Sequence, residues 1–475
     1  VATSVPHEST LFRLYILLPG PLWVVLVWAA LALPYLGFRD LHGGEGHLVL
    51  LALDVLNGGD WLAPAALGAP LLERPPLLVW LVAAAGWAFG TVDEIAVRAP
   101  VVVAALGLAL TVYAFLHDKG GPATGAFGGI VCLLSPLTLE WLRLGATHLP
   151  AAAFGFAAFV IWWRGREKDR IGMVRMLGAG LFLVLAALTD GLATVGYPLA
   201  AAVWLFVTKR RPGDGTALAV MTLMPALALA AWTFAVYHPG LFSLWLAEAG
   251  FVAPFPDSSH YLGQRAESFG TVAVRLLPWV ALAVPALSPW RERLGIDRDI
   301  ANGLIALALP FMLVLLLRPG ADTSDAIPAL PAVAALAALG AASLRRGRRG
   351  ADRVLAVVIA ALLFGYVTIA TLYVPANGFL FDRTRQAADR FDRAIADEPA
   401  PIYAIAPRPR DYDVLAQLGR SIEPIGVAAA GRLSGPAWLI ADPRHLAGLA
   451  DLGVVMATSD DQPIPALVLI QVAAP

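Results

Sequence analysis

Six residues near the start of the chain, HGGEGH at 42–47, bring two histidines and a carboxylate close together. Imidazole and carboxylate are the groups that move protons and bind metal ions near neutral pH. The spacing matches no established zinc pattern such as H-E-x-x-H, so the residues also read as a flexible loop. Further along, GGDWLAPAALGAPLLERPPL (58–77) holds Asp60 beside Trp61 and then Glu73-Arg74-Pro75-Pro76 directly before an apolar run. Asp60 reads as a turn cap with Trp61 in the interfacial belt. Glu73 is harder to assign to structure. The two prolines disfavour helix before them and start one after them, which holds a carboxylate at the edge of the apolar run. Such a group can serve as a base or a metal ligand. Arg74 reads either as a phosphate-binding cation or as an arginine snorkelling to an interface. His148 follows a break in another apolar run and reads as a ligand, a base or a histidine satisfied at a helix end.

The rest of the chain decides where these groups sit. It has 475 residues, of which 59% are hydrophobic and 15% charged, with mean hydropathy +0.71. Soluble domains carry about 25% charged residues, so this is the composition of an integral membrane protein. The net charge of −1 gives no bulk attraction to nucleic acid. The single cysteine, Cys132, allows neither an internal disulfide nor a cysteine metal site. The N-terminal segment VATSVPHESTLFR lacks a signal-cleavage pattern.

A membrane crossing needs about 20 apolar residues. Expected spans lie at roughly 14–36, 96–116, 122–141, 149–163, 172–189, 191–208, 216–237, 269–288, 301–317, 326–344 and 354–374. The run 76–90 is short. If it does not cross, the basic clusters at 164–170, 209–211, 290–293 and 345–349 all fall on the cytoplasmic side. It is therefore expected to be interfacial or re-entrant. Residues 37–95 then form one long external loop, with the amphipathic stretch 47–59 lying on the membrane. The polar groups at this outer face are the candidates for function, because ionisable groups next to hydrocarbon are costly. The tail 375–475 differs in composition. A charged helix at 383–396 precedes β-like runs at 401–406, 436–441 and 465–472, with short helical pieces between them. A small external α/β domain is expected there.

The segments GGDW (58–61), ERPP (73–76) and VDEIAVRAP (92–100), with Glu45 fifteen residues before Asp60, resemble the first external loop of GT-C glycosyltransferases of the lipid A aminoarabinose transferase and protein O-mannosyltransferase type. The tail PIYAIAPRPRDYDVLAQLGRSIEPI (401–425) resembles that family's C-terminal external domain. The resemblance covers nearly the whole chain. It implies an all-α polytopic bundle of about 11–13 transmembrane helices (1–374) and a small external α/β domain (375–475), in a bacterial inner membrane with a cytoplasmic N-terminus and a periplasmic C-terminal domain. It implies a polyprenyl-phosphate sugar donor, a lipid, glycan or protein acceptor, contacts with membrane lipids and no nucleic acid. Glu45, Asp40 and Glu73 are the expected catalytic residues. Asp60, Arg74, Arg98, Arg143, His148 and Arg318 are the expected substrate-binding residues. A divalent metal, if used, has Glu45, Glu73 and His148 as its candidate ligands.

The pattern is broken at four places. Gly44 stands where the family has Asp, His148 where it has Asp in a T-D-M turn, and Asp190 where it has Lys in T-K-G. Near 317–331 only Arg318 keeps the family's basic character. Two classes of function follow: a glycosyltransferase with an altered site, or a non-catalytic relative that binds a lipid-linked glycan or serves as a subunit of a membrane complex.

Overall fold

The structure is a computed structural model. It describes residues 19–72, 74–167, 171–209, 211–236, 243, 258–277, 279–318, 321–347, 350–377, 383–396, 400–405, 407–408, 411–433, 436–448, 453–460 and 467–472. Glu73 lies outside the described residues, as do the first residues of the expected span 14–36.

The helices of the membrane part are α1 (Gly20–Ala32), α2 (Glu45–Leu56), α3 (Leu77–Phe89), α4 (Glu94–Leu134), α5 (Pro136–Trp141), α6 (His148–Glu167), α7 (Met173–Asp190), α8 (Gly196–Val207), α9 (Asp214–Ala235), α10 (Ser258–Arg275), α11 (Trp279–Leu287), α12 (Arg298–Leu317), α13 (Leu330–Gly347) and α14 (Ala351–Thr368). Six helical stretches among the described residues are long and apolar enough to cross a membrane, and a bent pair, Arg265–Arg275 with Trp279–Leu287, makes up to seven. Two of the six are too long for one crossing. The 41-residue α4 breaks at Gly121, whose φ of 80° is non-helical. Beyond the break the chain doubles back, so that a Cβ on Gly125 would stand 2.8 Å from the Tyr113 carbonyl oxygen and one on Gly129 would stand 2.9 Å from that of Ala109. The 35-residue stretch Met173–Val207 is likewise interrupted by a 3-10 turn, Gly191–Val195. Both breaks fall between pairs of spans expected from hydropathy. The short run becomes the 13-residue α3, about 20 Å long at 1.5 Å per residue, well under the roughly 30 Å hydrocarbon core.

The tail is a small sheet domain. Its five strands are β3 (Ile402–Ile405), β4 (Ile422–Ile425), β5 (Ala437–Ala441), β6 (Gly453–Thr458) and β7 (Val468–Val472), after a two-stranded ribbon β1 (Ala65–Ala66) and β2 (Ala69–Pro70) in the first loop. The order is β4-β3-β5-β7-β6, with β3 parallel to β4 and β5, and β7 antiparallel to β5 and β6. Helices α15 (Arg383–Ile395), α16 (Tyr412–Gln417) and α17 (Val427–Ala430) complete it. Strands β4 and β6 do not stand out in the sequence: Pro424 interrupts one, and the other exposes Val454, Val455 and Met456.

This domain shares a core with the first loop. Val49, Leu51, Ala52 and Val55 of α2 are buried in one cluster with Phe391, Ile402, Tyr412, Leu415 and Trp438 of the tail. Much of the apolar face that the sequence alone lays on the membrane is thus covered by protein. The fit is close: a Cβ on Gly46 would stand 2.4 Å from both the Asp413 Cα and the Tyr412 carbonyl oxygen, so only glycine fits there.

The two parts also cap each other. Helix α2 begins at Gly44 with no side-chain cap of its own. Asp413 supplies one from the tail, accepting the Gly46 N–H at 2.7 Å. In return Asp40 accepts the Arg385 N–H at 2.7 Å, in the first turn of α15. Each cap of this kind is worth about 1 kcal/mol. Asp413→Ala is therefore expected to loosen the tail by about 1 kcal/mol, and Asp40→Ala by more, because Asp40 also faces the Arg385 guanidinium at 3.4 Å. Faster protease cleavage between the last span and α15 in intact membranes would show it.

Candidate functional site

Two clusters of charge stand among the described residues, the first of them against the tail domain. The first is closed. The Arg98 guanidinium grips Glu45 with both arms, Nε to Oε1 at 2.8 Å and Nη2 to Oε2 at 2.6 Å. The remaining acceptor positions of Glu45 take the Gly145 N–H at 2.9 Å and the His42 N–H at 3.3 Å. Arg98 also donates to the carbonyls of Leu36, Arg39 and Asp40. Glu45 and Arg98 are 0% and 1% exposed. Burial pushes the Glu45 carboxyl up, but Arg98 and His42 more than offset it, leaving its pKa below the usual carboxylate range. In the neighbouring Asp413 burial prevails and the carboxyl is pushed up, although the Gly46 and Gly44 N–H groups oppose it.

Asp40 is 1% exposed and committed to Arg385. Arg385 in turn binds Glu94 at 2.6 Å, which also accepts from Gln417 at 3.2 Å. Arg143 donates to the carbonyls of Leu31 and Pro34, closing the C-terminal end of α1. Asp60 is exposed and accepts its own loop's Leu62 N–H at 2.8 Å, a turn bond. Gly44, where the resemblance places an Asp, has φ of +93° with open space where a Cβ would stand. The space is available, but the backbone there is one that side chains rarely adopt.

The second cluster is more open. Asp190, at the end of α7, accepts the Thr147 hydroxyl on Oδ1 at 2.6 Å and faces His148 Nδ1 with Oδ2 at 3.3 Å. Arg74 donates to the Thr147 hydroxyl at 3.2 Å and lies 3.9 Å from Asp190. Exposure rises outward across the cluster, from 7% at Asp190 through 18% at His148 to 40% at Arg74. The Trp141 ring meets His148 edge-on at 5.1 Å. A 3-10 turn, Thr323–Ala329, packs on α6 beside them and brings Asp322 and Asp325 into the field of His148. Arg318 is tied to Asp325 at 2.7 Å. Arg275 bridges Glu140 at 2.5 Å and the Thr323 hydroxyl at 2.8 Å.

His148 and Asp190, two of the positions at which the sequence departs from the resembled pattern, are thus partners. The structure brings Arg74 and His148 together, places Arg318 nearby through Asp325, and leaves Glu45, Asp40, Arg98, Arg143 and Asp60 in other bonds. Sequence reasoning did not single out Asp325, Arg275 or Arg385. Asp325 and Arg275 sit beside apolar runs, whereas Arg385 is one charge among many in the helix 383–396, so no shared sequence signal marks the three. Among the described residues no three His, Cys, Asp or Glu side chains converge as a metal set. Of the candidate ligands, Glu45 has its oxygens taken by Arg98, Gly145 and His42, His148 faces Asp190 through Nδ1, and Glu73 lies outside the described residues.

An apolar groove of about 430 Å³ starts at the same level. Its walls include Ala99, directly after Arg98, and Pro150, two residues after His148, and reach Val103, Gly107, Thr111 and Phe182. From Ala99 to Thr111 the helix rises roughly 18 Å, slightly more than one leaflet of hydrocarbon.

With its helical bundle, broken helices and small C-terminal sheet domain, the chain has an ArnT-like GT-C fold. ArnT from Cupriavidus metallidurans in the apo state superposes with a TM-score of 0.72 at 16% identity, over 98% of this chain and 99% of that one. The same protein bound to undecaprenyl phosphate gives 0.71 at 15% identity, over 98% of each chain. The apo oligosaccharyltransferase of Archaeoglobus fulgidus gives 0.56 at 12% identity, over 92% of this chain and 70% of that one. No family model and no curated protein sequence matches the chain.

Proposed function

We propose that the chain is a membrane glycosyltransferase that takes a sugar from a polyprenyl-phosphate donor at the outer face of a bacterial inner membrane, with the tail domain in the periplasm. The observation that carries this reading is an apolar groove about one leaflet deep whose walls begin one residue after Arg98 and two after His148, in a fold otherwise seen here in a protein bound to undecaprenyl phosphate. An isoprenoid chain suits the groove, and the phosphate then lies level with Arg74. Glu45, Arg98, Asp40 and Arg143 position the mouth, and Arg74, His148 and Arg318 meet the substrates. The acceptor is a lipid, glycan or protein.

The test is mass spectrometry of the host's polyprenyl-phosphate sugars and glycoconjugates with and without the chain. The expected result is loss of one sugar-loaded polyprenyl phosphate and gain of one modified acceptor. Unchanged pools, together with no transfer by the purified chain, would overturn the reading. The second reading, a non-catalytic relative that binds a lipid-linked glycan, draws on the closure of Glu45 and Asp40 and expects binding without those changes.

The groove gives a sharper expectation. Gly107 lines it, and a Cβ there would meet nothing within 4 Å. Gly107→Phe directs a ring into the groove from a Cβ that meets nothing, and it costs no helix propensity, since glycine is the poorer helix former. Undecaprenyl phosphate binding should weaken about tenfold, the loss of roughly 1.4 kcal/mol of buried apolar contact, with unchanged expression. Equal affinity in a lipid-binding titration would remove the groove from the donor site.

A further inference from the structure

We propose that His148 is the base of the transfer and that Asp190 is its positioning residue: the imidazole takes the proton of an acceptor hydroxyl while Asp190 holds the ring. The inference rests on the glycosyltransferase reading and adds to it the group that moves the proton.

The geometry is that of an oriented base. Asp190 is itself fixed, because the Thr147 hydroxyl occupies Oδ1 at 2.6 Å and leaves Oδ2 for Nδ1 of His148 at 3.3 Å. A carboxylate at Nδ1 selects the tautomer with its proton on Nδ1 and the lone pair on Nε2. The Trp141 ring, standing at 85° to the imidazole, supports it on another side. Among the described residues nothing bonds Nε2. The contrast with the other buried carboxylate decides which group has proton capacity. Glu45 has its acceptor positions filled by Arg98, Gly145 and His42. His148 keeps a nitrogen unspent and is 18% exposed.

Position supports the same role. His148 opens α6, and Pro150 two residues later already lines the apolar groove. A sugar carried on a lipid phosphate in that groove lies beside this end of α6. In the step, the acceptor oxygen bonds to the anomeric carbon and its proton passes to Nε2. The bond from that carbon to the phosphate oxygen breaks, and the electron pair leaves with the polyprenyl phosphate. Asp190 stabilises the imidazolium formed, and Arg74, the more exposed cation of the cluster, faces the phosphate released. The groups that act on His148 are Asp190 from α7, Arg74 from the first loop, and Asp322 and Asp325 from the 3-10 turn, with Arg318 bound to Asp325, while Glu140, paired with Arg275, is the chain neighbour of Trp141.

The experiment uses the full chain in proteoliposomes, with a chloroform–methanol extract of the host's polyprenyl-phosphate sugars as donor. Turnover of the wild type should fall as the pH drops through the imidazole range. His148→Gln should lower kcat about 10²-fold or more, with donor KM within about twofold, and should abolish that acid limb. Asp190→Asn should move the limb to lower pH. Carbethoxylation of the wild type with diethyl pyrocarbonate, mapped to His148 by peptide mass spectrometry, should stop transfer, and hydroxylamine should restore it. This arm needs no variant to fold. A wild type that transfers sugar while His148→Gln keeps its kcat and pH profile, or while a carbethoxylated His148 leaves turnover intact, overturns the dyad alone. A wild type that transfers nothing from the extract overturns the glycosyltransferase reading and the dyad with it.

Discussion

Glu45→Gln is expected to destabilise the protein by about 3–5 kcal/mol, the usual cost of leaving one member of a buried ion pair without its partner. The amide keeps the volume. It cannot neutralise Arg98, which is 1% exposed and holds three carbonyls of the first loop. The Gly145 N–H would also lose its charged acceptor. Thermal unfolding in detergent should show a large fall, and the yield of membrane-inserted protein should drop with it. A wild-type melting curve from Glu45→Gln would mean that the pair does not hold the mouth. The same bond sets a pH window. The folded-state pKa of Glu45 is depressed, so its stabilisation is fully present above the ordinary carboxylate range near 4.3 and is lost as the pH falls through the lowered value. Arg98→Met together with Glu45→Gln should cost less than the sum of the two single changes, because residues in contact couple.

The second large effect is expected at His148. His148→Asp puts a carboxylate opposite Asp190, across a gap that now measures 3.3 Å between His148 Nδ1 and Asp190 Oδ2. Two acids at that distance cannot both stay ionised. A loss on the order of 2–4 kcal/mol should follow, somewhat less than for a fully buried pair because His148 retains some exposure. Adding Asp190→Lys to His148→Asp re-creates an opposite-charge pair and should recover most of the stability. Thermal unfolding of both single variants and the double variant closes the cycle. Additive losses in the double variant would show that the two side chains do not interact.

His148→Asp also shows where the sequence stops being informative. Read against the resembled pattern alone, it restores an expected residue and looks harmless. The partner that makes it harmful lies 42 residues away, at the end of another helix. Glu45 and Arg98 are 53 residues apart and show no periodic relation. In the sequence, Arg98 is only a cation at the start of an apolar run. Hydropathy made most of the long apolar helices legible, including the interruptions near Gly121 and Gly191, because burial acts on every residue of a helix. It did not show the 91° bend between Arg265–Arg275 and Trp279–Leu287 inside the stretch expected as one span at 269–288. The β3, β5 and β7 strands were legible from their continuous apolar runs for the same reason. Pairings between single charged side chains leave no such trace. Asp60 was read correctly from local chemistry as a turn residue, since its bond to Leu62 spans two residues.

The exchange of helix caps between the first loop and the tail has a consequence for biosynthesis. Asp413 comes off the ribosome 367 residues after the Gly46 N–H it satisfies, and Arg385 comes 345 residues after Asp40. Until then α2 lacks the Asp413 cap, and the part of its apolar face that the tail covers, against Phe391, Tyr412, Leu415 and Trp438, stays open, while Val79, Val82 and Ala83 of α3 already pack on the rest. The mouth is therefore finished last, whatever the order in which the spans insert. A copy truncated before α15 keeps its membrane helices and displays an unlatched, cleavable first loop. Burial of the α2 face by the tail therefore waits on completion of synthesis, and a copy truncated before α15 is expected to have its first loop cleaved faster by added protease than the full chain in the same membranes.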